Sequence, residues 1–134
     1  MIGTLDAALS EALIDSLRVE MTIIDAENRV VGWNKHSTRA HKRRKAILGT
    51  DVLDCHSPAS RPLVARMLEE MRSGQRDRAH FWIRRRKEAV DDEAQVLVEY
   101  CALRSPDGTY LGCAEVIEDL GETAQLKGET ALPE

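Results

Sequence analysis

Aromatic residues make up only 4% of the 134-residue chain, so its core must be packed from Leu, Val, Ile, Ala and Met. No apolar run approaches the ~20 residues that a membrane-spanning helix needs, and no signal peptide opens the chain. A cytoplasmic protein without a membrane partner is expected. Positive charge is not in surplus: 19 Lys and Arg face 23 Asp and Glu, for a net charge of −4. That balance argues against a general nucleic-acid binder. Cys55, Cys101 and Cys113 are odd in number and share no short paired spacing, which fits reduced thiols better than a disulfide framework or a zinc ribbon. No Gly-x-Gly-x-x-Gly, P-loop or Cys/His zinc pattern appears, and no internal repeat. A Cys–His hydrolase needs an orienting Asn or Asp and an oxyanion hole, and nothing in the sequence suggests them, so no enzyme is expected. Kinase, cyclase, helix-turn-helix and receiver segments are also missing. Any signal must therefore leave through a separate or deleted output protein.

What is present is the profile of an ordinary soluble α+β domain, with 43% apolar and 31% charged residues. Leu5, Ala8, Leu9, Ala12, Leu13 and Leu17 recur at helical spacing after Thr4, a candidate N-cap, and Asp6 suits the positive end of the helix dipole. Residues 1–20 thus read as an amphipathic helix, packed on its own domain or paired with its copy in a homodimer. Met21 to Asp25 and Arg29 to Asn34 read as two antiparallel strands around a turn at Ala26-Glu27-Asn28. Lys35 to Lys45 is strongly basic and reads as short helices on a solvated face, with phosphate contact as the alternative. Ser57 as N-cap and Pro58 at the first helical position start a helix with the stripe Leu63, Val64, Met67, Leu68 and Met71, ended by Ser73-Gly74. Strands follow at Ala79 to Arg84, Gln95 to Leu103 and Tyr110 to Glu118. A charged exposed loop at Arg85 to Ala94 and a turn at Ser105-Pro106-Asp107-Gly108 separate them. Residues 121–134 read as a polar tail. The expected architecture is a five-stranded antiparallel sheet with helices over one face.

This element order resembles that of PAS domains, over about Met21 to Gly128, with 21–120 as the domain proper. The ending LRSPDGTYLGCAEVIEDL resembles their last hairpin. The stretch DVLDCHSPASRPLVARMLEEMRSGQRDRAHFWI is similar to a PAS subgroup with a C-H-[PS]-x-x-S element before its long helix, found beside hemerythrin-like domains and in bacterial regulators. Asp51 to Arg61 also looks like the haem-binding PAS domain of bacterial carbon-monoxide-sensing transcription factors. Their D-V-x-x-x-H-P-x-x-S-R pattern matches at Asp51, Val52, His56, Ser60 and Arg61, with Ser57 in place of the first Pro. The resemblance implies a haem b sensor of gas or redox state with His56 on the iron. The family's second ligands do not carry over: Gly74 to Ala79 holds no Cys, and the family's Met falls near His80-Phe81.

Beside that resemblance stand the residues themselves. His56 precedes the long helix, where its imidazole can ligate iron if Asp54 or Asp51 holds the other nitrogen, or can simply bond a loop carbonyl. Cys55, near a helix N-terminus, is a candidate for a ligand switch or oxidation, but as a neighbour in extended chain it points away from His56. His80 is the nearest substitute second ligand, yet Phe81 and Ile83 are the better core residues, so His80 is expected to face outward with Trp82. Two other readings are a cofactor-free interaction module and a domain binding a small organic ligand such as a carboxylate.

Overall fold

The computed structural model describes residues 2–35, 43–86 and 93–128. Helix α1 (Ala7–Ser16) leads into strands β1 (Glu20–Asp25) and β2 (Val30–Trp33). Two 3-10 turns, Lys45–Ile47 and Val52–Cys55, precede helix α2 (Arg61–Arg72). Strands β3 (Arg78–Arg86), β4 (Glu93–Arg104) and β5 (Tyr110–Asp119) follow, and a helical turn α3 (Leu120–Thr123) closes the described chain. The five strands form one antiparallel sheet in the order β2-β1-β5-β4-β3. This is the expected α+β architecture. No described helix is long and apolar enough to cross a membrane.

Strand alternation sends Ile24, Val98, Tyr100, Cys113 and Ile117 to the inner face, where Leu68 and Met71 of α2 cover them. Leu68 and Met71 are completely buried, and truncating either to Ala costs about 2–5 kcal/mol. Cys113 lies beside Met71, with Sγ 3.7 Å from Sδ, and burial pushes its thiol pKa up to about 12.

Both helix starts differ from the expectation. Asp6, not Thr4, caps α1: its carboxylate accepts from the Leu9 amide at 2.7 Å. Helix α2 begins at Arg61 rather than Pro58, after a turn in which the Ser60 amide donates to the Ser57 carbonyl. The reason is the second proline. A helix started at Pro58 would carry Pro62 in its interior, where the ring clashes with the carbonyl four residues back; started at Arg61, it holds Pro62 in its first turn. The charged stretch after Arg84 did not end the hairpin either. Pairing continues through Arg84–Gln95, Arg85–Ala94 and Arg86–Glu93, while residues 87–92 lie outside the described residues. The expected helices at Lys35 to Lys45 fall largely on residues 36–42, also outside them.

The β4–β5 turn is held by Asp107, which accepts from the Ser105 hydroxyl and, at 3.0 Å, from the Thr109 amide. Those bonds bring its carboxyl pKa down to about 2. Gly112, two residues into β5, has φ +149°, and a Cβ there would run into the Ile24 carbonyl oxygen of β1. Gly112→Ala is therefore expected to destabilise the fold by more than about 1 kcal/mol in urea unfolding; an unchanged midpoint would show that the strands can part at that point.

Candidate functional site

The segment before α2 is built to present His56. Gly49 takes φ +77° at a turn that returns the chain, and the Asp51 carboxylate accepts from the Leu53 amide at 2.9 Å to start the second 3-10 turn. His56 caps that turn. Its Nδ1 lies 2.9 Å from the Val52 carbonyl oxygen, a contact that requires the ring proton on Nδ1. Its Nε2 lies 3.3 Å from the Tyr100 hydroxyl. Arg61 Nε donates to the His56 carbonyl at 3.1 Å, which ties the helix start to the same corner.

From Tyr100 a polar chain runs through the core. The Tyr100 hydroxyl donates to Glu115 Oε1 at 2.9 Å, and Arg43 Nη2 donates to Glu115 Oε2 at 2.7 Å. Tyr100 and Glu115 are direct partners across β4 and β5, and Glu115 is paired in turn with Thr22 of β1. The Arg43 and Glu115 side chains are only 13% and 10% exposed, so this is a buried ion pair. Burial, and then the Glu115 charge, push the Tyr100 pKa upward, which keeps the phenol protonated as a donor. Phe81 of β3 stacks on Tyr100 with ring centroids 6.4 Å apart.

Two hollows flank this chain. A polar cavity of about 140 Å³ is lined by Thr22, Val30, Arg43, Val52, Cys55, His56 and Glu115. Arg43 Nε is buried with no hydrogen-bond partner among the described residues. On the other side of Tyr100 lies a larger, mostly apolar groove of about 400 Å³, between α2 and the β3 edge, with Leu63, Val64, Met67, Ala79 and Phe81 in its walls.

Of the three residues singled out for haem, Cys55 and His56 share the polar cavity, and His80 stands apart. His80 is exposed and pairs with Glu99, on the face of β3 opposite Phe81. Cys55 is itself exposed, and partial burial raises its pKa, with Arg43 acting against the rise. The His56 imidazole is held as an axial ligand would be, but the cavity it shares with Cys55, at about 140 Å³, falls short of the roughly 300 Å³ at which small-molecule pockets begin and does not fit a haem. With the ring proton on Nδ1 and the Tyr100 proton donated to Glu115, His56 Nε2 keeps its lone pair 3.3 Å from the Tyr100 oxygen, and the hollow it faces is a small polar one walled by a carboxylate and a guanidinium. Among the described residues no three His, Cys, Asp or Glu side chains are grouped as metal ligands. His36 and His41 lie outside the described residues.

Sequence reasoning missed Arg43, Tyr100 and Glu115. One signal was available: in Cys113-Ala114-Glu115-Val116-Ile117, period-2 alternation puts the Glu on the same face as Cys113 and Ile117. Arg43 gave none, being one cation in a basic run.

A family model described as PAS domain matches residues 10–121, well over half the chain. The chain belongs to the PAS family. PAS domains are sensory or interaction modules, and this one is a signalling domain of that kind. The C-terminal domain of a Streptococcus mutans protein is similar at 25% identity and a TM-score of 0.80, covering 95% of this chain and 94% of that one. The PAS domain of BvgS from Bordetella pertussis shares the fold at 16% identity, with a TM-score of 0.64 and 88% of each chain covered. A PAS domain from Colwellia psychrerythraea does so at 15% identity and a TM-score of 0.62, over 87% of this chain and 99% of that one. No curated protein sequence matches.

Removing one member of a buried ion pair costs about 3–5 kcal/mol, whereas replacing both by apolar groups is near neutral. Glu115→Leu is therefore expected to lower the unfolding free energy by about 3 kcal/mol, and Arg43→Met in the same chain to restore most of it. A double variant as unstable as the single one would show that the pair is not what Glu115 is buried for.

Proposed function

We propose that this PAS domain signals by association, pairing with a second copy through the exposed stripe of α1, and needs no haem to do so. One observation carries the reading: Leu9, Leu13, Ile14 and Leu17 all stay more than a third exposed on a helix whose end is anchored. The Asn34 side chain donates to the Ile14 carbonyl at 3.2 Å, and the Lys35 amide donates to Asp15 Oδ1 at 3.0 Å. The helix is fixed, yet none of its residues is buried. Ten residues are too few to stand as a helix in water without a packing partner. A leucine stripe at i and i+4 carries no charge to repel its own copy and is self-complementary about a two-fold axis. Leu9→Glu with Leu13→Glu is expected to convert a dimer to a monomer in sedimentation at micromolar concentration. A variant that stays dimeric removes α1 as the interface.

Haem on His56 is the competing proposal: Nδ1 would keep Val52 while Nε2 turned from the Tyr100 oxygen to the iron, and the cavity would have to widen to admit the ring. A colourless protein that ignores added hemin supports the cofactor-free reading. A Soret band lost in His56→Ala would replace it.

The unpartnered Arg43 Nε favours a second reading, a small organic ligand in the 140 Å³ cavity. Because Glu115 shares the wall, the ligand must present a donor as well as an acceptor, as a hydroxy acid does. A thermal-shift screen of such acids tests it: binding raises the melting point of the protein and not of Arg43→Met.

A further inference from the structure

The two edges of the sheet are finished differently. Edge strand β2 is four residues long and covered: the Val30 amide donates to the Thr50 carbonyl, the Gly49 amide donates to the Val30 carbonyl, and Arg29 bridges to Asp51. Edge strand β3 is nine residues long, and among the described residues its backbone pairs with β4 alone. A long strand with an open row of amides and carbonyls is a template for one more strand.

Apolar surface gathers at the same edge. Phe81 is 44% exposed and Trp82 64% exposed, on opposite faces of β3, and Leu63 of α2 is 69% exposed in the wall of the 400 Å³ groove. A strand laid along β3 covers all three at once, one set of alternate side chains entering the groove beside Phe81 and the other passing Trp82. The charge there is basic although the chain is acidic overall. Arg66 and Arg76 share the single carboxylate of Glu70 in the groove wall, Arg78 bonds Glu99, and Arg84 has no carboxylate partner among the described residues, so cations outnumber carboxylates four to two. These arginines decide against a second copy of the strand: antiparallel self-pairing about Trp82 sets Arg84 against His80 and joins two arginine-rich edges.

We propose that the β3 edge is a docking site for an extended peptide segment of a partner protein, in which apolar residues alternate with carboxylates. Main-chain bonds to β3 supply affinity, the groove beside Phe81 accepts the apolar side chains, and Arg84 selects acidic ones. The site lies at the opposite edge of the sheet from α1, so it stands or falls apart from the dimer.

The test uses the whole chain and a short capped peptide alternating valine with glutamate, read by amide chemical shifts and fluorescence anisotropy. Saturable binding is expected, with the largest shifts at β3 amides. Arg84→Glu, an exposed substitution that leaves the fold intact, is expected to weaken binding at least about threefold. N-methylation of alternate residues blocks one edge of the peptide, so one of the two N-methylated isomers should bind and the other should not. Equal binding of both isomers, or of a lysine-for-glutamate peptide, overturns the proposal. So do shifts confined to Leu63, Met67 and Tyr100 without β3, which mark the groove as a small-molecule pocket.

Discussion

A carboxylate at the centre of the inner sheet face constrains everything around it. Glu115 stands between Thr22 and Tyr100 in a row of side chains that otherwise packs against Met71 and Leu68. A charge at that depth is tolerated only when paired and hydrogen-bonded, so Arg43 must be brought inward and Tyr100 must spend its single proton on it. With that proton committed, His56 approaches Tyr100 from the far side, and the corner before α2 closes over the sheet. The polar cavity lies beside this polar chain, with Arg43, His56 and Glu115 in its wall.

That arrangement explains why the fold was readable while its centre was not. Strand periodicity, the Asp107-Gly108 turn and the α2 stripe are local signals, and each element lies where its own residues put it. Errors at the helix starts were local too: two prolines four residues apart cannot both sit in one first turn, and the second decides. The outward placement of His80 rested on Phe81 and Ile83 being the better core residues, since alternation fixes only that His80 and Phe81 face opposite ways. His56 was legible as a residue of interest, but its partners come from β4 and the basic run, 44 residues on in the case of Tyr100. Such a pairing is a product of sheet order, which spacing along a chain does not encode. Arg43 shows the same limit more sharply, since its neighbours in sequence are cations that give no sign of a buried acid waiting for one of them.

Burial is unevenly distributed over the molecule. Between α2 and the central strands the packing is complete, with Ile24, Leu68, Met71 and Cys113 out of contact with solvent. Toward α1 and toward β3 it is not, and large apolar side chains remain uncovered at both ends. A monomer of this size can expose a few such residues singly, but grouping on one helix face and along one strand edge is the mark of surfaces meant to be covered.

Asn34 gives the N-terminal helix its mechanical character. Its one amide group accepts from the Met21 backbone and donates to the carbonyls of Val19 and Ile14, joining the start of β1, the end of β2 and the last turn of α1. The side chain is 1% exposed, so water does not compete for these bonds. A joint fastened at three points resists rotation as well as separation. A twist or tilt imposed on α1 is therefore delivered to the paired strands at the sheet's edge instead of being lost in a swivelling linker, and a displacement of those strands turns the helix in the same way.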